Sequence, residues 1–370
     1  MSRPLQVLQI SHDYEGPFQQ VCRQYNQAFD EAEITTVYLR GKALSAVEEK
    51  TGGSRVLFFD QQEGSLRGIK LATILRLAAL FRDRRFDIVI AHRYKAIYLA
   101  GIMSYFFTIP VLLGVAHEHK VFKRLTRSLF VTLWRRRIHI VAVSESVRQD
   151  ILHYCPSLGL QQRIHKLGNA IDPDTDPILS RSAARDELAL DQHQFVFGTV
   201  GRLVGKKEHE QLLLAFAELK ETACQLVIVG EGPRRTELEA LVKHLGLEDS
   251  VSFKGHVNDA SRIYSAFDAF VFCSGEKEAF GIVLLEAMLA GVPIVCSDSP
   301  GPSEVVGDAA LLYESGNSHS LAVQLRKIKE LDIEDRVELA RKGTEHLMSE
   351  HTQTQFSKRL QQLLKGVQDG

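Results

Sequence analysis

The sequence has 370 residues, of which 45% are hydrophobic and 25% charged, and its formal net charge is -1 at pH 7. This length exceeds one ordinary core and predicts two domains, while the balanced charge argues against a nucleic-acid-binding protein. The five cysteines fit neither a disulfide framework nor a zinc site by their spacing, which indicates a reducing compartment.

Positive charge is concentrated in the first half of the chain. Residues 1–180 contain 24 Lys and Arg against 17 Asp and Glu, whereas the remaining residues contain 21 against 29. The first half is therefore expected to meet an anionic partner.

The chain opens on a predicted strand, VLQIS at residues 7–11, followed by the loop HDYEGPF. The apolar run before the first charges is too short for a signal peptide, so a cytoplasmic protein is expected. Ligands of α/β proteins bind at loops that follow such strands, and Gly16 is the glycine that this loop offers. A simple turn glycine is the alternative.

Two further predicted strands end in histidine. FDIVIAH ends at His92, and VLLGVAHEHK ends at His117 with His119 close behind. Because ligands bind at the carboxyl ends of such strands, His92 is expected either to orient hydroxyl groups of a ligand or to be a satisfied structural residue. Residues 98–116 carry no charge and approach the length of a membrane span, but Pro110 divides them into a predicted buried helix and a strand.

A basic segment follows at residues 120–137, KVFKRLTRSLFVTLWRRR, with seven Lys or Arg and no acid. Apolar residues interrupt the cations, and Phe122, Phe130 and Trp134 are the predicted apolar anchors. This pattern is typical of a helix that lies on an anionic membrane surface. The alternative is a solvated helix packed on its own domain.

IHKLGNAIDPDTDP is predicted to close the first domain. Its Asp-x-Asp triplets resemble a metal site, but Pro173 and Pro177 indicate a linker instead, so no metal is expected. The predicted boundaries are 1–172 for the first domain, 173–190 for the linker, 191–350 for the second domain and 351–370 for a C-terminal helix.

The second domain begins with a strand, a loop and a helix in FVFGTVGRLVGKKEHEQLLLAFAEL. Arg202 and Lys207 lie in the loop, at the carboxyl end of the strand. Two cations there can neutralise the charge of a phosphate-bearing leaving group without a metal ion. In the next loop, Gly230 precedes a helix start whose backbone N–H groups suit phosphate.

Two acids bracket the start of an apolar helix near residue 280. Glu278 lies just before the helix, and Glu286 lies inside it with IVLL on one side and AMLA on the other. A helix start attracts phosphate or hydroxyl groups, and a carboxylate among apolar neighbours is costly to bury without a partner. The pair therefore indicates a binding site rather than two surface glutamates.

The Glu-x7-Glu of EAFGIVLLE, followed by EAMLAGVPIV and preceded by GRLVGKK, closely resembles the signature of the retaining GT-B glycosyltransferases of family 4. The resemblance covers nearly the whole chain. It implies the α/β GT-B fold, with two Rossmann-like domains whose parallel sheets face a central cleft, and a last helix that crosses back to the first domain. This chain departs from the family pattern at Glu208 and Ala170, where relatives have glycine.

The resemblance also implies an activity. A sugar would move with retention from a nucleoside-diphosphate sugar, a UDP-sugar being expected, to a glycan or lipid-linked acceptor such as a lipopolysaccharide core or another bacterial envelope polymer. No cofactor and no metal are implied. The basic segment would hold the enzyme at the inner face of the cytoplasmic membrane.

The residues that match the family's site fall into three groups. The catalytic positions are His117, Arg202, Lys207 and Glu278. The donor-binding positions are Gly16, Arg202, Lys207, Gly230, Glu278, Phe280, Gly281, Ile282 and Glu286, with Glu286 on the ribose and Glu278 on the sugar. The acceptor-binding positions are His92 and His119.

Three other functions account for less of the sequence. A nucleotide-cofactor oxidoreductase would need a Gly-x-Gly-x-x-Gly loop, which neither SHDYEGPF nor GTVGRLVGKK contains. A GT-B sugar-nucleotide epimerase or hydrolase would share the architecture without the paired Arg-x4-Lys and Glu-x7-Glu. A noncatalytic membrane-surface binding protein would explain the basic segment but leave the acid pair without a role.

Overall fold

The computed structural model describes residues 3–61, 71–174, 177–219 and 223–369, so Asp176 of the acidic tract lies outside the described residues. The chain divides into two compact units. The first unit comprises Met1–Ala170 and Gln353–Gly370, and the second comprises Ile171–Thr352.

The first unit is built on a seven-stranded sheet whose neighbouring strands are all parallel. Its strands are β1 (Leu5–Ser11), β2 (Ala32–Tyr38), β3 (Arg55–Phe58), β4 (Ile88–His92), β5 (Val111–Ala116), β6 (His139–Ala142) and β7 (Ile164–Lys166). Strands β4 and β5 are buried along their whole length, which explains their continuous apolar sequences.

Helices cover this sheet. They are α1 (Phe18–Asn26), α2 (Ser45–Thr51), α3 (Leu71–Asp83), α4 (Arg93–Phe106), α5 (Leu125–Trp134), α6 (Glu145–Tyr154) and α7 (Pro156–Leu160). Residues 98–116 form the end of α4 and the whole of β5, as the position of Pro110 predicts. None of the described helices is both long enough and apolar enough to span a bilayer.

The second unit contains a six-stranded sheet, also parallel. Its strands are β8 (Phe195–Val200), β9 (Cys224–Val229), β10 (Val251–Gly255), β11 (Ala269–Phe272), β12 (Ile294–Ser297) and β13 (Leu311–Tyr313). Its helices are α8 (Arg181–Glu187), α9 (His209–Ala217), α10 (Arg235–Leu245), α11 (Ile282–Leu289), α12 (Pro300–Val306), α13 (Ser318–Glu330) and α14 (Ile333–Glu350), with short 3-10 turns at Gly205–Lys207 and Ala260–Ala266.

The six strands of the second sheet follow the same order as the first six strands of the first sheet, which has one more strand at its end. The order is β3-β2-β1-β4-β5-β6-β7 in the first unit and β10-β9-β8-β11-β12-β13 in the second. In each sheet, successive strands are added first on one side and then on the other, and this switch falls between β1 and β4 and between β8 and β11. Such a switch point opens a crevice at the carboxyl ends of the strands, where α/β proteins bind ligands. The predicted Rossmann-like α/β architecture is confirmed for each unit.

The predicted linker at 173–190 is wrong for its second half. Helix α8 lies within it and packs against the 3-10 turn at Ala260–Ala266. Arg185 on α8 is fully buried, donates to the Ala266 carbonyl at 3.0 Å and pairs with Asp268 at 2.7 Å. This buried guanidinium fixes α8 to the second unit, although the polar composition of the segment is that of a linker.

The last helix, α15 (Gln353–Asp369), belongs to the first unit. Phe356 and Leu360 are buried one helical turn apart, as the amphipathic spacing of this segment requires. The Phe356 ring meets Tyr25 of α1 edge to face at 4.9 Å, and Gln353 donates to the Gln24 carbonyl at 2.9 Å.

Candidate active site

In the second unit, the loops after β8 and β11 meet where the strand order reverses. The 3-10 turn Gly205–Lys207 carries two lysines at the end of the β8 loop, and the loop after β11 carries Glu278. Lys207 Nζ lies 2.9 Å from Glu278 Oε2, and Lys206 Nζ lies 3.4 Å from the same oxygen. Sequence reasoning missed Lys206, although its place beside Lys207 in GKK was a visible signal.

The charges of this cluster stabilise one another. Burial opposes ionisation of Glu278, but the adjacent Lys207 and Lys206 outweigh it and lower the pKa of the carboxyl. Burial lowers the pKa of Lys207, and Glu278 offsets part of that effect. Glu278 Oε2 is buried between the two ammonium groups, and because a carboxylate has about four lone-pair sites, it can also accept a hydrogen bond from a ligand hydroxyl.

Backbone contacts position Glu278. The Gly275 N–H donates to the Lys206 carbonyl at 3.2 Å, which joins the two loops directly. Ser299 Oγ donates to the Ser274 carbonyl at 3.0 Å, and a Cβ at Gly301 would come within 2.6 Å of the Glu278 carbonyl oxygen. The carboxylate is therefore held in place by the protein itself.

Arg202 lies on the same loop and is exposed. Its charge contributes to the lowered pKa of Lys207, and no ion pair to a carboxylate engages it within the described ranges. Gly230 has a φ of 140°, and a Cβ there would collide with the Gly201 carbonyl. Gly230 thus lets the loops after β8 and β9 pack closely, and its contact with a donor stays a prediction.

Glu208, which stands where relatives have glycine, adopts the conformation that glycine would favour. Its φ is 46°, in the left-handed region, and its carboxylate packs against Gly275. Burial, together with the charge of Glu276, raises the pKa of Glu208. The loop keeps its turn at the cost of backbone strain beside the site.

Helix α11 begins after Gly281, whose φ of 95° places the turn that precedes the helix. A Cβ at Gly281 would press on the ring of Phe272, which also lies 4.6 Å beneath Lys207 Nζ. The adjacent Phe280 ring is buried and meets His351 edge to face at 5.8 Å. Any donor contact of Phe280 is therefore made by its backbone rather than by its ring.

The first helical residue is Ile282, and Glu286 follows one turn later, half-buried. The hydroxyl of Tyr264 donates to Glu286 Oε2 at 2.7 Å. Tyr264 is itself fully buried, and burial beside Glu286 holds its pKa well above the ordinary value, so it remains a donor. Nothing in the sequence signalled this partner.

In the first unit, His92 and His117 lie at the carboxyl ends of β4 and β5. His92 is fully buried, with Nε2 at 2.6 Å from Gln9 Oε1 and Nδ1 at 3.1 Å from His117 Nε2. Both ring nitrogens are thus engaged. This geometry fits the alternative of a satisfied structural residue whose ring supports His117, and a contact of His92 with acceptor hydroxyls stays a prediction.

The row of hydrogen bonds that ends at His117 has a fixed direction. Asn26 Nδ2 donates to the carbonyl oxygens of Thr51 and Gly52, which can only accept. Asn26 Oδ1 must then accept from Gln9 Nε2, which lies 2.7 Å away. Gln9 therefore presents its Oε1, an acceptor, to the buried imidazole of His92.

This direction sets the proton positions on both imidazoles. His92 carries its proton on Nε2, so its Nδ1 accepts from His117 Nε2. Burial lowers the pKa of His117 to about 3, and the charge of Arg93 adds to this, while burial holds the pKa of His92 well below its ordinary value. His117 is a neutral ring whose Nδ1 is a hydrogen-bond acceptor.

A titration of nitrogen-15-labelled histidine tests this arrangement. The His117 signals are expected to show the Nε2–H tautomer and no inflection near 6.5, the ordinary pKa of histidine. Because the folded pKa is depressed, the pair's contribution to the free energy of unfolding is complete above pH 6.5 and declines as the pH falls towards 3. A midpoint near 6.5 for His117 in the folded protein would contradict the assignment.

A charged cluster beside this row was not anticipated. His12 Nδ1 lies 2.5 Å from Asp13 Oδ2, and Lys95 Nζ lies 3.1 Å from His12 Nε2. Arg93 approaches Asp13 at 3.4 Å. Burial opposes ionisation of Asp13, but the bond from His12 and the charge of Arg93 lower its pKa. The adjacent His12 and Asp13, directly after the first strand, were the sequence signal for this cluster.

Two predicted site residues of the first unit, Gly16 and His119, make few contacts with the rest of the protein. Gly16 is exposed at a φ of 60°, with open space where a side chain would project. His119 Nε2 meets Ser146 Oγ at 3.1 Å, while its Nδ1 is buried without a hydrogen bond. Neither geometry tests a ligand contact, so both assignments stay predictions. The described ranges contain no group of three His, Cys, Asp or Glu placed to hold a metal.

The predicted apolar anchors of the basic segment are wrong. Phe122 and Phe130 are buried, and Trp134 donates its Nε1 proton to the Gly101 carbonyl at 2.7 Å. These rings pack on α4. The exposed apolar residues of α5 are leucines at four-residue spacing, Leu125, Leu129 and Leu133, with exposed fractions of 85%, 61% and 59%.

Two family models match the chain. Residues 22–175 match Glycosyltransferase Family 4, and residues 180–346 match Glycosyl transferases group 1. Over 178 residues the chain is 36% identical to the lipopolysaccharide core biosynthesis glycosyltransferase LpsD of Rhizobium meliloti. This alignment covers 48% of this chain and 49% of that protein. The chain is 37% identical over 131 residues to N-acetyl-alpha-D-glucosaminyl L-malate synthase of Bacillus anthracis, or 34% of each chain. The match spans about half the length of these relatives or less.

Solved structures share the fold. Anabaena HepE in complex with UDP-glucose superposes with a TM-score of 0.82 at 20% identity, covering 98% of this chain and 100% of that one. WaaG, a glycosyltransferase involved in lipopolysaccharide biosynthesis, superposes with a TM-score of 0.70 at 17% identity, covering 95% and 98%. The fold is GT-B, as predicted.

Proposed function

Since the chain is a GT-B protein whose two units match the models of Glycosyltransferase Family 4 and of Glycosyl transferases group 1, we propose that it transfers a sugar from a nucleoside-diphosphate sugar to a glycan acceptor. The observation that carries this proposal is the cluster of Lys206, Lys207 and Glu278 at the crevice between β8 and β11. A buried carboxylate set among cations suits a sugar linked to a diphosphate, because the carboxylate can accept from sugar hydroxyls and the cations can meet the phosphates.

The reaction breaks the bond between the anomeric carbon and the β-phosphate oxygen. Lys207 and Arg202 neutralise the charge that develops on the departing diphosphate, the interaction that strengthens most in the transition state. The acceptor oxygen bonds to the anomeric carbon on the face that the diphosphate leaves. Attack from that side retains the configuration, and it puts the hydroxyl proton next to the departing oxygen that takes it up.

The remaining side chains orient the donor. Glu278 accepts from hydroxyls of the sugar, and Glu286, held by Tyr264, accepts from those of the ribose. Helix α11 begins at Ile282, and backbone N–H groups at the start of a helix suit phosphate oxygens. In the first unit, Nδ1 is the atom of His117 that accepts a ligand hydroxyl, because its Nε2 proton is committed to His92.

The donor and acceptor classes rest on the relatives. HepE is solved with UDP and with UDP-glucose, and LpsD acts in lipopolysaccharide core biosynthesis by name. We therefore propose a UDP-sugar as donor and a lipopolysaccharide core or another bacterial envelope glycan as acceptor. The cations of the β8 loop take the place of a metal ion in this scheme.

Incubation with a panel of sugar nucleotides tests the function. Release of free nucleoside diphosphate is expected from a UDP-sugar, unchanged by a chelator, and the product should keep the anomeric configuration of the donor. No release from any sugar nucleotide would contradict the function. Activity lost to the chelator and restored by manganese would instead assign a metal role to the acidic tract at residues 172–176.

We also propose that the basic segment at 120–137 docks on an anionic membrane at the inner face of the cytoplasmic membrane. The exposed leucines of α5 would enter the lipid, and Lys123, Arg124 and Arg136, all exposed, would meet the headgroups. Each such cation near an anionic leaflet contributes about 1 kcal/mol.

A further inference from the structure

A basic pocket opens at the amino edge of the first unit's sheet, the edge opposite His92 and His117. Its volume is about 350 Å³. Three arginines line it: Arg136 and Arg137 directly after α5, and Arg163 directly before β7. The segment between α4 and β5 forms another wall, with Phe106. Nothing in the proposed transfer reaction uses this edge of the sheet.

The arginines of this pocket carry uncompensated charge. In the part of the chain that the structure describes, no carboxylate pairs with Arg136, Arg137 or Arg163. Their partners are neutral: Arg137 donates to the Ser104 carbonyl, and Arg163 donates to His139 Nε2.

His139 adds no positive charge of its own. Burial lowers the pKa of His139 to about 4, and the charges of Arg163 and His165 contribute. Its ring is thus neutral at physiological pH and serves as an acceptor for Arg163. A guanidinium group has five N–H donors, so each arginine keeps donors for an anion with several oxygen atoms.

Exposed apolar side chains adjoin this pocket on the side of α5. Trp134 joins α5 to α4 by its bond to the Gly101 carbonyl and by an edge-to-face contact with Tyr105 at 5.2 Å. Phe106, at the end of α4, is 73% exposed. Leu133, the last leucine of the exposed stripe on α5, precedes Arg136 and Arg137 of the pocket by three and four residues in the sequence.

We propose that this pocket binds the phosphate group of an anionic phospholipid while Phe106 and the leucine stripe of α5 enter the adjoining lipid. A soluble anion would need the arginines but not the apolar side chains beside them. A membrane surface offers phosphate and hydrocarbon side by side, and aromatic side chains favour the boundary between them. The inference rests on the proposed membrane docking and adds a defined headgroup site to it.

Sedimentation with vesicles of phosphatidylglycerol and phosphatidylcholine, compared with vesicles of phosphatidylcholine alone, tests the pocket. The unaltered protein is expected to bind the anionic vesicles at least tenfold more tightly. Arg163→Gln is the main variant, because Arg163 belongs to the pocket and not to the basic segment. Lys123→Gln removes the same charge from the exposed segment outside the pocket and is the matched control.

A headgroup site predicts that Arg163→Gln weakens vesicle binding at least tenfold, whereas Lys123→Gln weakens it about fivefold or less, the loss expected of one diffuse surface charge. Arg137→Gln gives a second test should Arg163→Gln fold poorly by circular dichroism. Leu129→Ser should weaken binding without changing the preference for anionic vesicles.

Three results would overturn the proposal. Equal losses for the pocket variants and Lys123→Gln would leave only diffuse attraction. Equal binding to both vesicle types would remove the role of charge. Displacement from vesicles by glycerol phosphate at low concentration would identify a site for soluble phosphate. Uridine diphosphate binding, measured by calorimetry on the same samples, reports the proposed transferase separately, since a protein that binds vesicles but not the nucleotide would refute that function and leave the pocket standing.

Discussion

Lys207→Met is expected to lower turnover at least about a hundredfold while the protein stays folded. The ammonium of Lys207 lies against the Phe272 ring and 2.9 Å from Glu278, with 16% of its side chain exposed. Charge that develops on the departing diphosphate in this partly water-excluded position loses its closest cation in the variant. Methionine retains the apolar stem, so packing on Phe272 is preserved.

Lys206→Met is the matched control. Lys206 stands one residue away, at 3.4 Å from the same carboxylate oxygen, with 35% of its side chain exposed. Solvent screens its charge more strongly, so a loss of about tenfold or less is expected. Steady-state release of nucleoside diphosphate measures both variants, and a thermal melt checks folding. Turnover of Lys207→Met close to that of the unaltered protein would remove the leaving-group role.

Glu286→Gln is expected to weaken the binding of bare uridine diphosphate at least about tenfold, because hydrogen bonds to a charged acceptor contribute about 1.5 to 3 kcal/mol each. The amide still accepts from Tyr264, so the variant removes charge without leaving a buried hydroxyl unpaired. Glu278→Gln should leave the affinity for the bare nucleotide within about threefold, because its proposed partner is the sugar.

Calorimetry with uridine diphosphate and with the UDP-sugar compares the two variants. The expected pattern is a loss for both ligands in Glu286→Gln and a loss for the UDP-sugar alone in Glu278→Gln. Tyr264→Phe is the control for orientation: it keeps the carboxylate charge and should weaken binding less than Glu286→Gln. Equal losses of bare nucleotide affinity in the two glutamate variants would refute the division of roles.

Local sequence signals located much of the second unit's candidate site. Strand, loop and helix alternate clearly there, and parallel strands place the loops after β8 and β11 at one edge. Arg202 and Lys207 were predicted from their loop after a strand, and Glu278 from its place before an apolar helix. Their shared role in a donor site came from the family resemblance and stays a prediction. The bond from Tyr264 to Glu286 was not predictable, since it joins a 3-10 turn to a helix that follows an intervening strand.

The first unit shows a different limit. Gln9 meets His92 because β1 and β4 are adjacent in a fixed register, with Gln9 opposite Ile90. No pattern in either strand records that register. In the basic segment, aromatic residues and leucines each form an apolar face, so the sequence could not tell which face packs inward. The aromatic face packs on α4 because Gly101 leaves room for Phe130 and accepts a bond from Trp134.

The hydrogen bonds from Asn26 through Gln9 and His92 to His117 all have the same donor-to-acceptor direction fixed by the first of them. Each of these side chains therefore has only one orientation or tautomer that satisfies both of its neighbours. An Asn26→Asp change would remove the donor to Thr51 and Gly52, and with it the reason for Gln9 to present an acceptor. A change at one of these four positions is therefore expected to need a compensating change at its neighbour if Nδ1 of His117 is to remain the acceptor. The four side chains behave as one unit, so single substitutions within the row should cost more than paired ones.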